Sequence, residues 1–391
     1  MKKTGFLRSV AFLLILCFAV AGVMHCYSQP KYFNTRFINT FDEMPDNTVD
    51  GIVLGSSVIA HGWVSAVSWE KYGMAAFQFG TSVQPMGSIP GFIEYVEKNH
   101  DPKFIIIDVH SLRKQSLMTS VTPSKVQEAY LNIPDIASRY SMLMDLFDYA
   151  ERMYDFYGEP EKEADKLDRT KASMYLPLLA FHNRWVDGLE KADFVDVKNE
   201  YLGANDRYTS FLSRDMTANV KNLDYGKTVE IDDFQKGEID RLTDYLKQSD
   251  LEVLFINTHS FKSKAIQREL ASILKYCADK GYNTIDFSTR AMLKEAGFDT
   301  KVDFSDNGHV NLAGAQKLTD YVCRYLIDNG YPYEDRRGQE GYDIWEKGLE
   351  TYKDYYKKAG QAKTSSLRIN TIKIKATDEL KIGSFFYSYN C

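Results

Sequence analysis

The stretch Gly51-Ile52-Val53-Leu54-Gly55-Ser56-Ser57 is a short apolar run that ends in a glycine and two serines. A run of this length that ends at a glycine is typical of a buried strand followed by a turn. Similar runs, separated by amphipathic helical patterns, follow at 75–80, 103–108, 251–257 and 282–286. Strands that alternate with helices predict an α/β fold with a parallel sheet covered on both faces. Ligands bind at the carboxyl ends of such strands, so the two serines fall on the ligand-binding edge.

A second motif, Asp306-Asn307-Gly308-His309, supplies the groups that a serine nucleophile requires. A serine hydroxyl reacts slowly until a neighbouring base takes its proton. An imidazole can take up a proton near neutral pH, so His309 can serve as that base, while Asp306 can fix the histidine tautomer and stabilise the imidazolium. The two motifs together predict a catalytic triad of a serine, His309 and Asp306.

The composition of the chain limits the number of domains and argues against some classes of ligand. The 391 residues are 44% hydrophobic, which is enough for one large domain or two small ones. The formal charge of −6 argues against nucleic acid as a partner. The five cysteines show no C-x-x-C spacing, and neither a metal-ligand cluster nor a glycine-rich phosphate loop stands out. We therefore predict no metal site and no cofactor.

The N-terminal segment 1–30 has the pattern of a targeting sequence. Lys2, Lys3 and Arg8 precede an apolar run that approaches the roughly 20 residues of helix needed to cross a bilayer. The basic residues favour a cytoplasmic N-terminus, with the rest of the chain exported. Two alternatives stay open: an uncleaved single-pass signal-anchor, or a signal peptide cleaved after Ala19-Val-Ala21, which would leave a secreted protein.

The rest of the chain divides into a connector at 31–50, a main domain at 51–335 and a C-terminal region at 336–391. Residues 112–234 interrupt the strand-helix alternation with a polar, tyrosine-rich and mainly helical insertion. We interpret the insertion as a cap over the active-site edge, the alternative being a solvated surface excursion. The C-terminal region predicts a helix at 342–358 and, at 367–389, a small β appendage with the alternation of a hairpin.

Three short blocks give the sequence a resemblance to a known superfamily. Val53-Leu-Gly-Ser-Ser57, the Asp306–His309 motif and the following Val310-Asn-Leu-Ala-Gly314 resemble the conserved blocks of the SGNH, or GDSL-like, hydrolases. The resemblance covers residues 50–110 and 250–330. It looks closest to the membrane-anchored, exported branch that includes polysaccharide O-acetyltransferases and the teichoic-acid D-alanine transfer protein. It implies a flavodoxin-like three-layer α/β/α fold, with Ser57 as nucleophile because Ser56 stands at the family's aspartate position.

The same resemblance implies an oxyanion hole and shows a departure from it. The family supplies donors from the nucleophile's own N–H, from a glycine after the second strand and from an asparagine after the third. Ser57 and Gly80 match the first two, but Asp108-Val-His110 follows the third strand. Gln84 is our candidate for the missing donor, since loss of one donor slows such reactions about 100- to 1000-fold.

Four further residues are candidates for substrate binding. His259 follows a strand on the ligand edge, where it lines a pocket or plays a structural role in the turn. His182, Arg184 and Trp185 lie in a block that resembles one found in bacterial relatives. Arginine pairs with carboxylate or phosphate and tryptophan stacks on sugars, so this block suits an anionic or sugar substrate. A buried aromatic–arginine contact inside the insertion is the alternative.

These patterns lead to two functional hypotheses. The first is a serine-dependent esterase or O-acyltransferase that acts through an acyl-enzyme on an acylated cell-envelope glycan or polymer. It would be held at the bacterial cytoplasmic membrane with its catalytic domain outside the cytoplasm. The second is a non-catalytic SGNH-like factor for envelope binding or assembly, which would partner a membrane-bound acyltransferase. The triad residues favour the enzyme, and the absent asparagine favours the binding factor.

Overall fold

A computed structural model of the chain describes residues 3–28, 38–131, 133–158, 212–221, 227–259 and 261–357, and between 158 and 212 only 168, 171–173, 176, 179, 186 and 194. Residues up to Leu349 form one compact unit, and a second unit begins at Glu350. The candidates His182, Arg184 and Trp185 and the hairpin predicted at 367–389 lie outside the described residues.

The first unit is built on a five-stranded parallel sheet. Its strands are β1 (Gly51–Leu54), β2 (Ala76–Gln78), β3 (Phe104–Asp108), β4 (Glu252–Asn257) and β5 (Asn283–Asp286). They lie in the order β2-β1-β3-β4-β5, which is the flavodoxin-like arrangement. Helices flank the sheet, and the predicted three-layer α/β fold is confirmed. The strand order reverses direction between β1 and β3, and ligands of this fold bind at that switch point.

Helices lie between consecutive strands along the chain, as the alternation in the sequence predicts. Those of the first unit are α1 (Lys3–Ser28), α2 (Ser57–Gly62), α3 (Ser65–Tyr72), α4 (Ile89–Glu97), α5 (Lys114–Ser120), α6 (Pro123–Tyr130), α7 (Ile136–Tyr157), α8 (Thr217–Lys221), α9 (Asp233–Leu246), α10 (Lys264–Asp279), α11 (Arg290–Glu295) and α12 (Leu312–Asp328). A further helix occupies 343–357, where the sequence predicts one at 342–358.

The apolar strands are buried because helices cover both faces of the sheet. On one face, Val53, Ile106 and Leu254 form a continuous core with Leu318 and Val322 of α12. The helix α10 packs on β4 and β5 outside that core cluster. The sheet is therefore held from both sides, and its loops at the carboxyl end are anchored on a rigid base.

Two ties fix the chain segments that flank the sheet. The guanidinium of Arg336 pairs with the carboxylate of Asp50, directly before β1, at 3.0 Å. The indole N–H of Trp345 donates to the Thr48 carbonyl at 2.8 Å, and Trp345 is fully buried. Residues 336–349, which the sequence groups with the C-terminal region, thus belong to the first compact unit.

The helix α1 is long and apolar enough to cross a membrane. Its segment Gly5–Met24 has a mean hydropathy of 2.4 over 20 residues, and none of it is buried. A span of this length matches the hydrocarbon core of a bilayer, and a signal sequence near an N-terminus has the same properties.

Candidate active site

The loop after β1 presents Ser57 at the switch point of the sheet. Gly55 has φ 145°, a backbone conformation that residues with a side chain rarely adopt. A Cβ added there would lie 2.6 Å from the Asp108 Cβ, so glycine is also required by space. Ser56 then caps the N-terminus of α2, where its Oγ accepts a hydrogen bond from the Val58 N–H at 3.5 Å. Ser57 is the first residue of the helix and is half-buried.

The structure brings Ser57, His309 and Asp306 together. Ser57 Oγ lies 3.0 Å from His309 Nε2, and His309 Nδ1 lies 3.1 and 3.0 Å from the two carboxylate oxygens of Asp306. An ionised carboxylate only accepts hydrogen bonds, so Nδ1 carries the proton. The lone pair of Nε2 therefore faces the serine hydroxyl, which is the arrangement that a general base needs.

Asp306 is held in its ionised form. Burial raises the pKa of the carboxyl, but the hydrogen bond and charge of His309 lower it, and the Gly308 N–H donates to it at 2.6 Å. The lowering effects dominate, and the pKa lies below the usual range for aspartate. Asp306 thus stays an acceptor for the imidazole throughout the neutral range.

The segment after His309 fixes the loop that carries the base. The Ser305 N–H and hydroxyl both donate to the His309 carbonyl, at 3.0 and 3.1 Å. Asn311 caps α12 by accepting from the Gly314 N–H at 3.1 Å. A Cβ at Gly314 would clash with the carbonyl of Asp303, so only glycine fits there. The block Val310–Gly314 therefore has a structural role in positioning His309.

The loop after β2 approaches the nucleophile from the other side. The Thr81 N–H donates to the Gly55 carbonyl at 3.0 Å, and the Gly55 N–H donates to Gln84 Oε1 at 2.5 Å. Because the Gly55 N–H needs an acceptor, this bond identifies which end of the buried Gln84 amide is the oxygen. The other end, Nε2, is a donor without a partner among the described residues.

Two backbone donors near this loop are also unused. Neither Ser57 nor Gly80 donates its backbone N–H to another group within the described part of the chain. A Cβ on Gly80 would lie 3.1 Å from the Ile59 side chain, which shows how closely this loop approaches α2. Ser57, Gly80 and Gln84 thus each retain a free N–H donor near the nucleophile turn.

Asp108 stands where an asparagine donor is expected, and it acts only as an acceptor. It is fully buried and accepts from the His110 N–H (2.9 Å) and Nδ1 (3.0 Å) and from the Thr258 N–H (3.2 Å) and hydroxyl (2.5 Å). Burial raises its pKa, but His110 and Thr258 lower it, with a net pKa below the usual value. Asp108 therefore ties the loop after β3 to the loop after β4 and offers no oxyanion donor.

His259 lies inside the protein at this edge. Its side chain is 1% exposed and packs against the rings of Phe261 and Phe304, with centroids 5.2 and 5.1 Å away. Neither ring nitrogen has a hydrogen-bond partner among the described residues. Burial, together with the charges of His309 and His110, lowers the pKa of His259 to about 3. His259 is thus a neutral, enclosed imidazole close to both other histidines.

His61, which lies near Ser57 in the sequence but has no role predicted from it, is a neighbour of His309. Its ring centroid lies 4.3 Å from that of His309, with 31° between the ring planes. His61 is four residues after Ser57 on the same helix, and residues four apart share one helical face. This spacing is the signal by which it could have been found.

The insertion touches the site on two sides. On one side, Glu128 of α6 accepts from the Ser82 N–H at 3.1 Å and the Ser82 hydroxyl at 2.8 Å, between Gly80 and Gln84. On the other side, Asn311 Nδ2 donates to the Leu212 carbonyl at 3.2 Å, beside the His309 loop. The described parts of the insertion therefore anchor the loop that carries Gly80 and the loop that carries His309.

Fold and site together define an α/β protein with the geometry of a Ser–His–Asp triad. Comparison with known protein families finds no family model that matches the chain. Comparison with curated proteins likewise finds no significant match. Within the described residues, no group of three or more His, Cys, Asp or Glu side chains is arranged to hold a metal ion.

Proposed function

We propose that the protein is a serine-dependent esterase or O-acyltransferase that works through an acyl-enzyme. One observation carries the proposal: Ser57 Oγ lies 3.0 Å from His309 Nε2, whose Nδ1 is bonded to Asp306. These are the distances at which a base takes the proton of a nucleophile and is itself oriented by a carboxylate.

The reaction begins when Ser57 Oγ attacks the carbonyl carbon of an ester and its proton passes to His309 Nε2. The negative charge that develops on the carbonyl oxygen is stabilised by N–H donors. The tetrahedral intermediate then expels the alcohol, which takes the proton from His309. In the second half, an acceptor hydroxyl gives its proton to His309 and attacks the acyl group, and Ser57 Oγ leaves with that proton.

Three donors are candidates for the oxyanion: the N–H groups of Ser57 and Gly80 and the side-chain Nε2 of Gln84. Gln84 fits this role because Gly55 fixes its oxygen, while its buried nitrogen has no hydrogen-bond partner in the part of the chain that the structure describes. An unpaired buried donor destabilises a protein by about 1–3 kcal/mol, so a donor of this kind is typical of a site that a ligand completes.

The proposed substrate is an acylated cell-envelope glycan or polymer outside the bacterial cytoplasmic membrane. The apolar helix α1 supports attachment to a membrane or export. The choice of an envelope substrate rests on the resemblance to exported SGNH proteins.

A fluorophosphonate probe tests the nucleophile. We expect the wild-type chain to be labelled and Ser57→Ala to lose labelling, because the hydroxyl that forms the covalent bond is gone. Ser56→Ala is the matched control: Ser56 only caps α2, so labelling should persist. Full labelling of Ser57→Ala, or an unlabelled wild type, would contradict the proposal.

Gln84→Glu tests the oxyanion donor with the least change in shape. The substitution keeps an oxygen for the Gly55 N–H and replaces the Nε2 donor by a second carboxylate oxygen. We expect the labelling rate to fall about 100- to 1000-fold. A rate within a factor of two of wild type, in a folded variant, would remove Gln84 from the oxyanion hole.

The alternative is a non-catalytic factor that binds envelope glycan or a membrane-bound acyltransferase. Asp108 favours it, because all its hydrogen bonds are accepted and the asparagine donor of the SGNH family is absent. This alternative predicts glycan binding by a wild-type chain that fluorophosphonates do not label.

A further inference from the structure

The edge of the sheet that holds Ser57 carries a second aspartate–histidine pair, formed by Asp108 and His110. His110 Nδ1 lies 3.0 Å from an Asp108 oxygen. The pKa of Asp108, which burial raises and His110 and Thr258 lower more strongly, lies below the usual range. Asp108 is thus an acceptor, and Nδ1 of His110 carries the proton. The lone pair of His110 therefore belongs to Nε2, as it does in His309.

The pair and the nucleophile follow neighbouring strands of the sheet. β3 lies between β1 and β4, with Leu54 opposite Ile107 and Asp108 opposite Ile256. Ser57 and His110 thus follow the ends of neighbouring strands by two or three residues. The contact between Asp108 and Gly55 closes the space between the two loops, since a Cβ on Gly55 would lie 2.6 Å from the Asp108 Cβ.

His110 Nε2 makes no hydrogen bond within the described residues, although its ring is largely buried, at 6% exposure. His259, whose two ring nitrogens also have no partner in the described chain, interacts electrostatically with both His309 and His110. The buried imidazole of His259 is therefore within electrostatic range of both aspartate–histidine pairs. Within the described part of the chain the acceptor nitrogen of His110 is unused, and a ligand hydroxyl can use it.

We propose that His110 Nε2 accepts a hydrogen bond from a second hydroxyl of the acyl acceptor while His309 activates the attacking hydroxyl. The acceptor class is then a polyol such as a sugar, because water and monohydric alcohols have no second hydroxyl to place there. His110 is a specificity-determining residue in this arrangement and takes no proton during the reaction. The inference rests on the proposed function and decides between transfer to a glycan and hydrolysis.

Two variants of His110 separate its two nitrogens. In His110→Asn the side-chain amide N–H takes the place of Nδ1–H and keeps a donor for Asp108, but nothing replaces Nε2. In His110→Gln the longer side chain returns a polar group to the Nε2 position. The full-length chain in detergent is given p-nitrophenyl acetate as acyl donor, with methyl β-glucoside, ethanol or water as acceptor.

We expect His110→Asn to raise the KM for methyl β-glucoside roughly tenfold, the effect of one lost hydrogen bond. Transfer to ethanol, hydrolysis and fluorophosphonate labelling should stay within a factor of two of wild type, and His110→Gln should recover part of the glucoside KM. Labelling also shows that the variant is folded around Ser57.

Three results would overturn the inference. The glucoside KM of a labelled His110→Asn could equal that of wild type, its transfer to ethanol and glucoside could fall by the same factor, or its labelling could be lost although it is folded. A different result contradicts the proposed function itself: a wild-type chain that is not labelled at all. The inference about His110 would then be contradicted as well, because it rests on that function.

Discussion

The two aspartate–histidine pairs at the edge of the sheet use the same residue types in different surroundings. The Asp306 side chain is 41% exposed, and the donors to it are His309 and the neighbouring Gly308 N–H. The Asp108 side chain is fully buried, and half of its donors belong to Thr258, on the next strand's loop. Asp306, which bonds to one imidazole, can therefore orient that imidazole during a reaction. Asp108, which joins two loops, has a structural role.

The largest expected effect separates the two histidines. His309→Asn should slow fluorophosphonate labelling about 100- to 10,000-fold, because the serine loses its base. His110→Asn should label at the wild-type rate, because His110 does not contact Ser57. Equal losses in both variants would show that the pairs share the acylation step.

Substitution of Asp306 should mainly change the labelling rate, and substitution of Asp108 should mainly change the free energy of unfolding. Asp306→Asn should slow labelling about 100-fold or more, since the imidazole loses the group that fixes its tautomer, with little change in the free energy of unfolding.

Asp108→Asn should do the reverse and lower the free energy of unfolding by about 2–4 kcal/mol. One Asp108 oxygen accepts both donors of His110 and the other accepts both donors of Thr258, so an asparagine nitrogen would face the donors of one of these residues and could not accept from them. Urea unfolding and labelling rates of the two variants, measured together, check both expectations. A stable Asp108→Asn would remove the scaffold role from Asp108.

The buried imidazole of His259 predicts a pH dependence of stability. The pKa of His259 is lowered to about 3 from an ordinary 6.5, so as the pH falls the unfolded chain takes up a proton before the folded one. Stability is therefore full above pH 6.5 and is lost between about pH 6.5 and 3.

Replacement by phenylalanine removes this titration and suits the neighbouring Phe261 and Phe304. Between pH 7.5 and 5, the free energy of unfolding of wild type should fall by about 2 kcal/mol relative to His259→Phe. Urea unfolding at the two pH values measures the difference. Parallel pH profiles would mean that His259 titrates normally in the folded chain.

The smallest expected effect concerns the tie between the two loops. Thr258→Val keeps the backbone N–H donor to Asp108 and removes only the hydroxyl, which bonds to the carboxylate at 2.5 Å. We expect a loss of about 1.5–3 kcal/mol in the free energy of unfolding, with labelling unchanged. Ser305→Ala is the equivalent change beside Asp306, where one of three donors to the His309 carbonyl is lost. It should lower stability by less, about 0.5–1.5 kcal/mol.

The sheet could be predicted because each strand is a short apolar run with a glycine, proline or polar residue at its end. The runs at 103–108 and 251–257 correspond to the observed strands Phe104–Asp108 and Glu252–Asn257. Because both faces of the sheet are buried, the strands show no alternation of apolar and polar residues. The prediction therefore depended on the length of each apolar run and on the residues at its ends. The order of the strands came from the resemblance, since periodicity does not reveal which strands are neighbours.

The triad residues could be named because their chemistry depends on few side chains in a recognisable spacing. The rest of the site depends on contacts between distant parts of the chain. The bond between Gly55 and Gln84 and the one between Ser82 and Glu128 join residues 29 and 46 positions apart. No local pattern records such pairs. The buried role of Asp108 was hidden for the same reason, since Thr258 is 150 positions away.

The tight packing at Gly314 gives the base loop a recognisable signature. A carbonyl occupies the space of any side chain at Gly314, and Asn311 must cap the helix that begins there. The spacing Asp-x-x-His-x-Asn-x-x-Gly from Asp306 to Gly314 is therefore one geometric unit. A search for this fingerprint downstream of a Gly-Ser-Ser turn would collect distant proteins that fold the loop in the same way, even where whole-chain comparison finds nothing in common.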